Sequence, residues 1–312
     1  MNKALSLFLL SVLLLPAAGL AQHLKFVEAD GALTLFDQDR PVFSYQKMTK
    51  SLQGQYPRAN YVHPLYSLAG DSLTEDFPAD HPHHRGVFWT WHQLYVGEKR
   101  VGDPWFCEGI SWEVEKPLTV VEKETALLEA TVYWVSTTSI DEDPEPDTLL
   151  QEQVKITYRK PAAAYYELDF EVVMVPLQEQ LSIGGSEDEK GYGGFSVRLK
   201  TPDDLRFTSK TGALTPANTA VQAGGWVDVK GSFNPEAKEP AGVVIVCEPR
   251  DLENFQGWIL RKKDSMQNVA FPGRVPMLLE KPLSFKNKLI VYSGGISREE
   301  IERIYAAFAR EP

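Results

Sequence analysis

Short runs in which apolar and polar residues alternate at every second position recur along the chain from Leu24 to Tyr292, and no other feature constrains its fold as strongly. In an extended strand that spacing sends apolar side chains to one face and polar side chains to the other. One face then packs inward while the other stays wet, as in an antiparallel sheet. The runs are Leu24–Val27, Ala32–Phe36, Val42–Gln46, Val87–Val96, Leu118–Val121, Ala126–Val135, Leu150–Tyr158 and Tyr165–Val175, then Phe195–Leu199, Gly225–Val229, Gly242–Cys247, Gly257–Leu260 and Leu283–Tyr292. Glu167 to Val172 shows the pattern plainly, with acids on one side and Leu168, Phe170 and Val172 on the other. Turn chemistry fills the gaps. Asp30-Gly31 is a hairpin dipeptide because glycine accepts positive φ, and Asp37–Arg40 reads as a second short turn. The acidic insert Asp141–Asp147 carries two prolines and reads as a solvated loop, with calcium binding as the alternative. One helix is predicted, at the C-terminus: Ser297 and Glu300 form a capping box ahead of the apolar stripe Ile301, Ile304, Tyr305 and Phe308. The expectation is an all-β protein, a large antiparallel β-sandwich with a short C-terminal helix. Without a linker, low-complexity tract or repeat, residues 22–312 read as a single domain.

The first 21 residues read as a secretory signal, with Lys3 in the n-region, Ala4–Leu15 as the apolar h-region and small residues before Gln22. A run of twelve residues is too short to span a bilayer core of about 30 Å. The expected location is secreted or periplasmic, with no membrane insertion once the signal is cleaved. Loss of Lys3 takes the net charge from −11 to −12. So acidic a product is not expected to bind nucleic acid. Export permits a disulfide between Cys107 and Cys247, but their spacing equally suits two buried, unpaired thiols.

Five of the six histidines lie between His63 and His92, and the chain after His92 has none. If the extended geometry of Val87–Val96 continues back through His81, then His81, His83, Arg85, Trp89 and Trp91 share one face. His84, Phe88, Thr90 and His92 then share the other, unless a bulge at Gly86 breaks the parity. The first face has a coherent chemistry. Imidazoles transfer protons near neutral pH, a guanidinium grips carboxylates or paired hydroxyls, and indoles offer flat apolar platforms for sugar rings. The candidate catalytic residues are His81, His83, His84, Asp80, Glu75 and Asp76, with Asp103 as a further carboxylate. The candidate binding residues are Arg85, Trp89, Trp91 and His63, joined by Tyr192 of the Gly-rich loop Gly184–Gly194, by Arg198, and by Asn268 and Arg274 of later polar-aromatic clusters. Trp226 and Asp228 form another such cluster. Binding of a divalent metal is the competing use: the His81-Pro82-His83 pair suits one if His63, His92 or a carboxylate completes the shell. A lone histidine or tryptophan in a strand is more often a satisfied core residue, whereas so many polar groups together need partners.

The blocks Tyr61–Tyr66 and Leu73–Gly86, with their HPHHRG core, resemble the PmoA-like family of exported bacterial proteins, and Tyr192–Phe195, Trp226–Asp228 and Gln267–Arg274 are similar to its later blocks. That resemblance implies a galactose-mutarotase-like supersandwich and, by fold analogy, a sugar-related role. The label "methane oxygenase" often attached to that family implies several long apolar spans, which this chain lacks. The expected function is binding or transforming a sugar by acid–base chemistry such as epimerisation, elimination or hydrolysis. The alternatives are a His-x-His metal or redox site, a glycan-binding module without turnover, and a purely structural cluster.

Overall fold

A computed structural model describes residues 23–139, 146–237 and 239–310. The segment read as an export signal lies outside these residues, as does most of the Asp141–Asp147 insert. Among the described residues, no helix is long and apolar enough to cross a membrane.

The alternating runs form a large antiparallel β-sandwich. One sheet has eight strands in the spatial order Leu24–Ala29, Ala32–Asp37, Arg40–Gln46, Tyr61–Leu65, Val87–Thr90, Gly194–Val197, Gln267–Ala270 and Gly257–Ile259. The other has ten strands and is built around the long neighbours Thr125–Ser136, Thr148–Ala162, Tyr165–Pro176 and Leu283–Ser293. Asp30 (φ 49°) and Gly31 (φ 76°) make the first hairpin turn with both residues at positive φ, which matches the twist of paired strands.

The core lies between the inward faces of the two sheets. Trp89 and Phe195 of the eight-stranded sheet stack 6.3 Å apart, and both rings meet Phe170 of the ten-stranded sheet. Such pairs add about 0.5–1.5 kcal/mol each beyond area burial. One carboxylate sits among these rings. Glu152 is fully buried and accepts from Asn60 Nδ2 at 3.0 Å, from Trp134 Nε1 at 2.6 Å and from Trp89 Nε1.

The C-terminal helix spans Arg298–Phe308, with the Ser297 hydroxyl accepting from the Glu300 amide at 3.1 Å. Ile301, Ile304 and Phe308 pack on the outer face of the ten-stranded sheet, beside Trp226, Val244 and Tyr292. Glu300 does not complete the expected capping box. Its carboxylate accepts instead from Tyr165 and Arg303. Both cysteines are buried free thiols.

The structure corrects the long run Val87–Val96. It divides at Trp91-His92: Val87–Thr90 belongs to the eight-stranded sheet, while Gln93–Val96 joins a separate four-stranded sheet with Leu181–Gly184 and Lys99–Gly102. The break turns His92 out of strand geometry and lets the loop after Gly102 close over it.

Candidate functional site

The HPHHRG segment is not the start of a strand. It forms the tip and return limb of a loop in which Asp76 bridges Arg85 in antiparallel fashion, and the tip turns through His84 N–H to His81 O at 2.9 Å. Gly86 ends the loop at φ +39°, where a Cβ would stand 2.0 Å from the Val62 carbonyl oxygen, so only glycine fits. The turn abolishes the parity expected for residues 81–85 and gathers His81, His83 and His84 together. His81 stacks on His84 at 4.7 Å, and His83 meets both rings nearly edge-on, at 5.6 and 4.6 Å.

Within Val87–Thr90 the parity holds, but the inward face is the one carrying the tryptophans. Trp89 and Trp91 are buried in the sandwich core, with their Nε1 groups donating to Glu152 and to the Phe271 carbonyl. Neither ring is open to a ligand, which corrects their assignment as stacking platforms. Phe88 and Thr90 point the other way. The outer face of the eight-stranded sheet therefore carries the site.

A second loop completes it. Asp103 and Glu108 close this loop by mutual backbone bonds at 2.9 and 3.0 Å and hold out Trp105 and Phe106. Trp105 is fully buried and stacks on His92 at 5.0 Å, while Phe106 is 37 % exposed and touches both His92 and His83. Arg58 anchors the loop by donating to the Pro104 carbonyl from between the rings of Trp112 and Phe88. Tyr192 packs on His92 and Trp105, each at 5.1 Å. Its loop is tied to the rest of the fold, with the Gly185 amide donating to the Gly273 carbonyl at 2.6 Å. Beside this second loop lies an open cavity of about 580 Å³ lined by Arg100, Asp103, Phe106 and Glu108, with no histidine in its lining.

Two imidazoles are oriented by carboxylates. His81 Nδ1–H donates to Asp80 Oδ2 at 2.8 Å and His92 Nδ1–H to Asp103 Oδ2 at 3.2 Å. Such a bond through Nδ1 leaves Nε2 as the proton-accepting nitrogen. The His81 side chain is 38 % exposed, whereas that of His92 is buried. His92 Nε2 and His84 Nδ1 are buried without a hydrogen-bond partner among the described residues, and Thr90 Oγ1 and Asn268 Oδ1 on the same sheet face share that condition. Such groups are rare in a folded interior and draw attention to a site.

Arg198 reaches the cluster as expected, donating to both oxygens of Asp80 at 2.9 and 2.7 Å and to Glu75 Oε2 at 2.9 Å. Burial works against ionisation of Asp80, but the bonds from His81 and Arg198 prevail and hold its carboxyl below the ordinary value. Arg85 is a correction. It is fully buried and donates to Asp76, to the Tyr61 hydroxyl and to the Tyr56 carbonyl at 2.9 Å, with the Phe77 ring 3.7 Å from its guanidinium carbon. It has no free fork for a ligand. His63 is bonded to Thr74 at 3.0 Å and does not join the imidazole stack. Asn268 Nδ2 is spent on Gly193 O, Phe195 O and Ser196 Oγ. Arg274 is exposed, with its carbonyl held by Gln93 at 2.7 Å. Trp226 and Asp228 lie on the other sheet, bonded to Glu302 and to Tyr292. Among the described residues no three His, Cys, Asp or Glu side chains are grouped to hold a metal ion, so the His81–His83 pair gains no third ligand there.

Burial lowers the His83 imidazole to about 3 and that of His63 to about 4, and it takes His84 well below the ordinary value. Neighbouring His81 adds to the effect at His83 and His84. A depressed folded pKa means that folding favours the neutral ring. The stabilisation is present above about 6.5 and lost as pH falls towards 3, at about 1.4 kcal/mol per pH unit for each such histidine. Thermal midpoints are therefore expected to drop between pH 6.5 and 4.5, above the range where carboxylates protonate, and His83→Gln should flatten that slope. A midpoint constant across that interval would refute the neutral cluster.

Sequence reasoning singled out His81, His83, His84, Asp80, Glu75, Tyr192 and Arg198, and these are the residues that the structure brings together. It passed over Arg58, Trp105 and Phe106, and gave His92 a role only as a candidate third metal ligand. Beyond its place in the histidine-rich stretch no sequence signal marked His92, because the break in the ladder at Trp91-His92 is set by tertiary structure.

Residues 32–306 match the model of a family of unknown function, DUF6807. No curated protein matches the chain.

Proposed function

The chain belongs to the DUF6807 family, and from that premise we propose that it is a carbohydrate-active protein which moves protons on a sugar held against His81, His83, His92 and Phe106. One observation carries this reading. Two imidazoles are oriented by separate aspartates: His81, exposed and stacked on His84, and His92, packed against Trp105, Phe106 and Tyr192 with its Nε2 unpartnered, while the Phe106 ring touches both His92 and His83. One ring accepts a proton from the substrate through Nε2 while the other, protonated, returns one, the buried Nε2 of His92 being reached by displacement of the exposed Phe106 ring that packs on it. The substrate's composition is unchanged, and solvent resets the pair through the exposed His81. Phe106, with Tyr56 near His83 at 6.1 Å, gives the rim apolar faces for the C–H side of a sugar ring. The resemblance to the PmoA-like family, and through it to galactose-mutarotase-like sandwiches, supports the same reading. An N-terminal signal would place the site outside the cytoplasm.

The test is ¹H NMR in D₂O with a panel of free sugars, following anomer exchange and deuterium entry at carbon. Wild-type protein is expected to catalyse one of the two. Both His92→Gln and His81→Gln should slow it by about 100-fold or more, the usual contribution of a general acid or base. Full activity in both variants would sink the assignment.

A further inference from the structure

Every guanidinium that bonds into this site is already committed. Arg198 holds Asp80 and Glu75, and Arg85 holds Asp76. Arg100 donates to Asp103 at 3.1 Å, to Glu187 at 3.1 Å and to the His92 carbonyl at 2.9 Å. Arg58 is 1 % exposed and is closed in by aromatic rings, so its unpartnered Nε faces no solvent. Lys190, beside Tyr192, is paired with Asp188 at 3.2 Å. Against these four guanidiniums stand six carboxylates, those of Glu75, Asp76, Asp80, Asp103, Glu108 and Glu187. Glu108 and Glu187 are both exposed at the rim. A ligand carboxylate or phosphate would enter a field already negative, in which, among the described residues, each guanidinium bonded into the site is committed and Arg261, near Tyr192, is held by the carbonyls of Ala217, Leu260 and Asn218.

From this we infer that the site takes an uncharged, hydroxyl-bearing sugar and rejects uronates and sugar phosphates, an inference that rests on the carbohydrate reading above. The ring nitrogens and the rim carboxylates are donors and acceptors suited to hydroxyl groups. The chemistry narrows accordingly. β-Elimination from a uronate removes the proton next to the carboxylate and needs a cation or a proton on that carboxylate to carry the developing charge. None of the guanidiniums bonded into the site is spare to do it, whereas isomerisation of a neutral sugar asks only for the acid–base pair.

The probes are the methyl α- and β-pyranosides of glucose, galactose and mannose beside the corresponding methyl hexuronides, with the full-length mature protein and ligand-observed saturation-transfer NMR. The expected result is binding of at least one neutral glycoside, with its uronide weaker by tenfold or more (about 1.4 kcal/mol). Equal or tighter binding of a uronide overturns the charge inference and leaves the carbohydrate reading standing. Failure of every glycoside and uronide to bind overturns both. A second arm uses Glu108→Lys, an exposed residue outside the imidazole pairs. It should narrow the preference for the neutral partner at low salt and lose that effect as salt is raised. An unchanged preference would show that rim charge does not set it.

Discussion

Replacing Glu152 by leucine is expected to cost about 4–6 kcal/mol of stability, because it orphans three buried donors at about 1–3 kcal/mol each while returning some apolar burial. The donors are Asn60 Nδ2, Trp89 Nε1 and Trp134 Nε1. They come from both sides of the sandwich: Trp89 lies in the eight-stranded sheet and Trp134 in the ten-stranded one. Burial raises the carboxyl pKa, while the bonds from Asn60, Trp134 and Trp89 oppose that shift. The polar clamp therefore fixes how the two sheets face each other at this layer as well as satisfying the donors. At about 2–4 °C per kcal/mol for a chain of this size, the melting midpoint should fall by about 10–15 °C. Glu152→Gln keeps one acceptor oxygen and should lose roughly half as much, since one carbonyl satisfies only part of the donor set. A leucine variant that melts with the wild type would show that the clamp contributes nothing.

Arg85→Lys is the second large effect, at about 3–5 kcal/mol, the usual result of removing one partner from a buried charged network. A lysine ammonium on its flexible stem cannot donate at once to Asp76, to Tyr61 and to the Tyr56 carbonyl, and it cannot lie flat against Phe77. Asp76 would be left short of its cation. Chemical denaturation of the two proteins reads the loss directly. Sugar binding, measured where both remain folded, should be unaffected, because Arg85 faces no ligand. A stable variant that loses binding would return Arg85 to the ligand-holding role that its sequence position suggests.

That reversal at Arg85 shows where the sequence stops being informative. Arg85 stands in a stretch whose composition marks a site, and the stretch does form one. Which of its members face the ligand depends on the turn at His81–His84 and on the positive φ of Gly86, and neither follows from a period-2 pattern. Glu152 was legible after the fact: in Leu150–Tyr158 it is the lone acid among Leu150, Val154, Ile156 and Tyr158 at inward parity. Its partners Asn60 and Trp89 lie 92 and 63 residues away, so nothing local announced them.

The sequence by itself determined the antiparallel β class, most of the strands, the C-terminal helix and the neighbourhood of the histidine cluster. It could do so because side-chain period, turn dipeptides and caps are local properties of the chain. Tertiary structure alone decided that the tryptophans face the core while His84 and His92 face outward, and that the run Val87–Val96 feeds two sheets. It also brought Arg198 to Asp80 across 118 residues and laid Trp105 on His92. Alternation fixes which residues share a face but not which face is covered. That choice belongs to the packing of distant strands, which bury whichever side presents the larger continuous apolar surface.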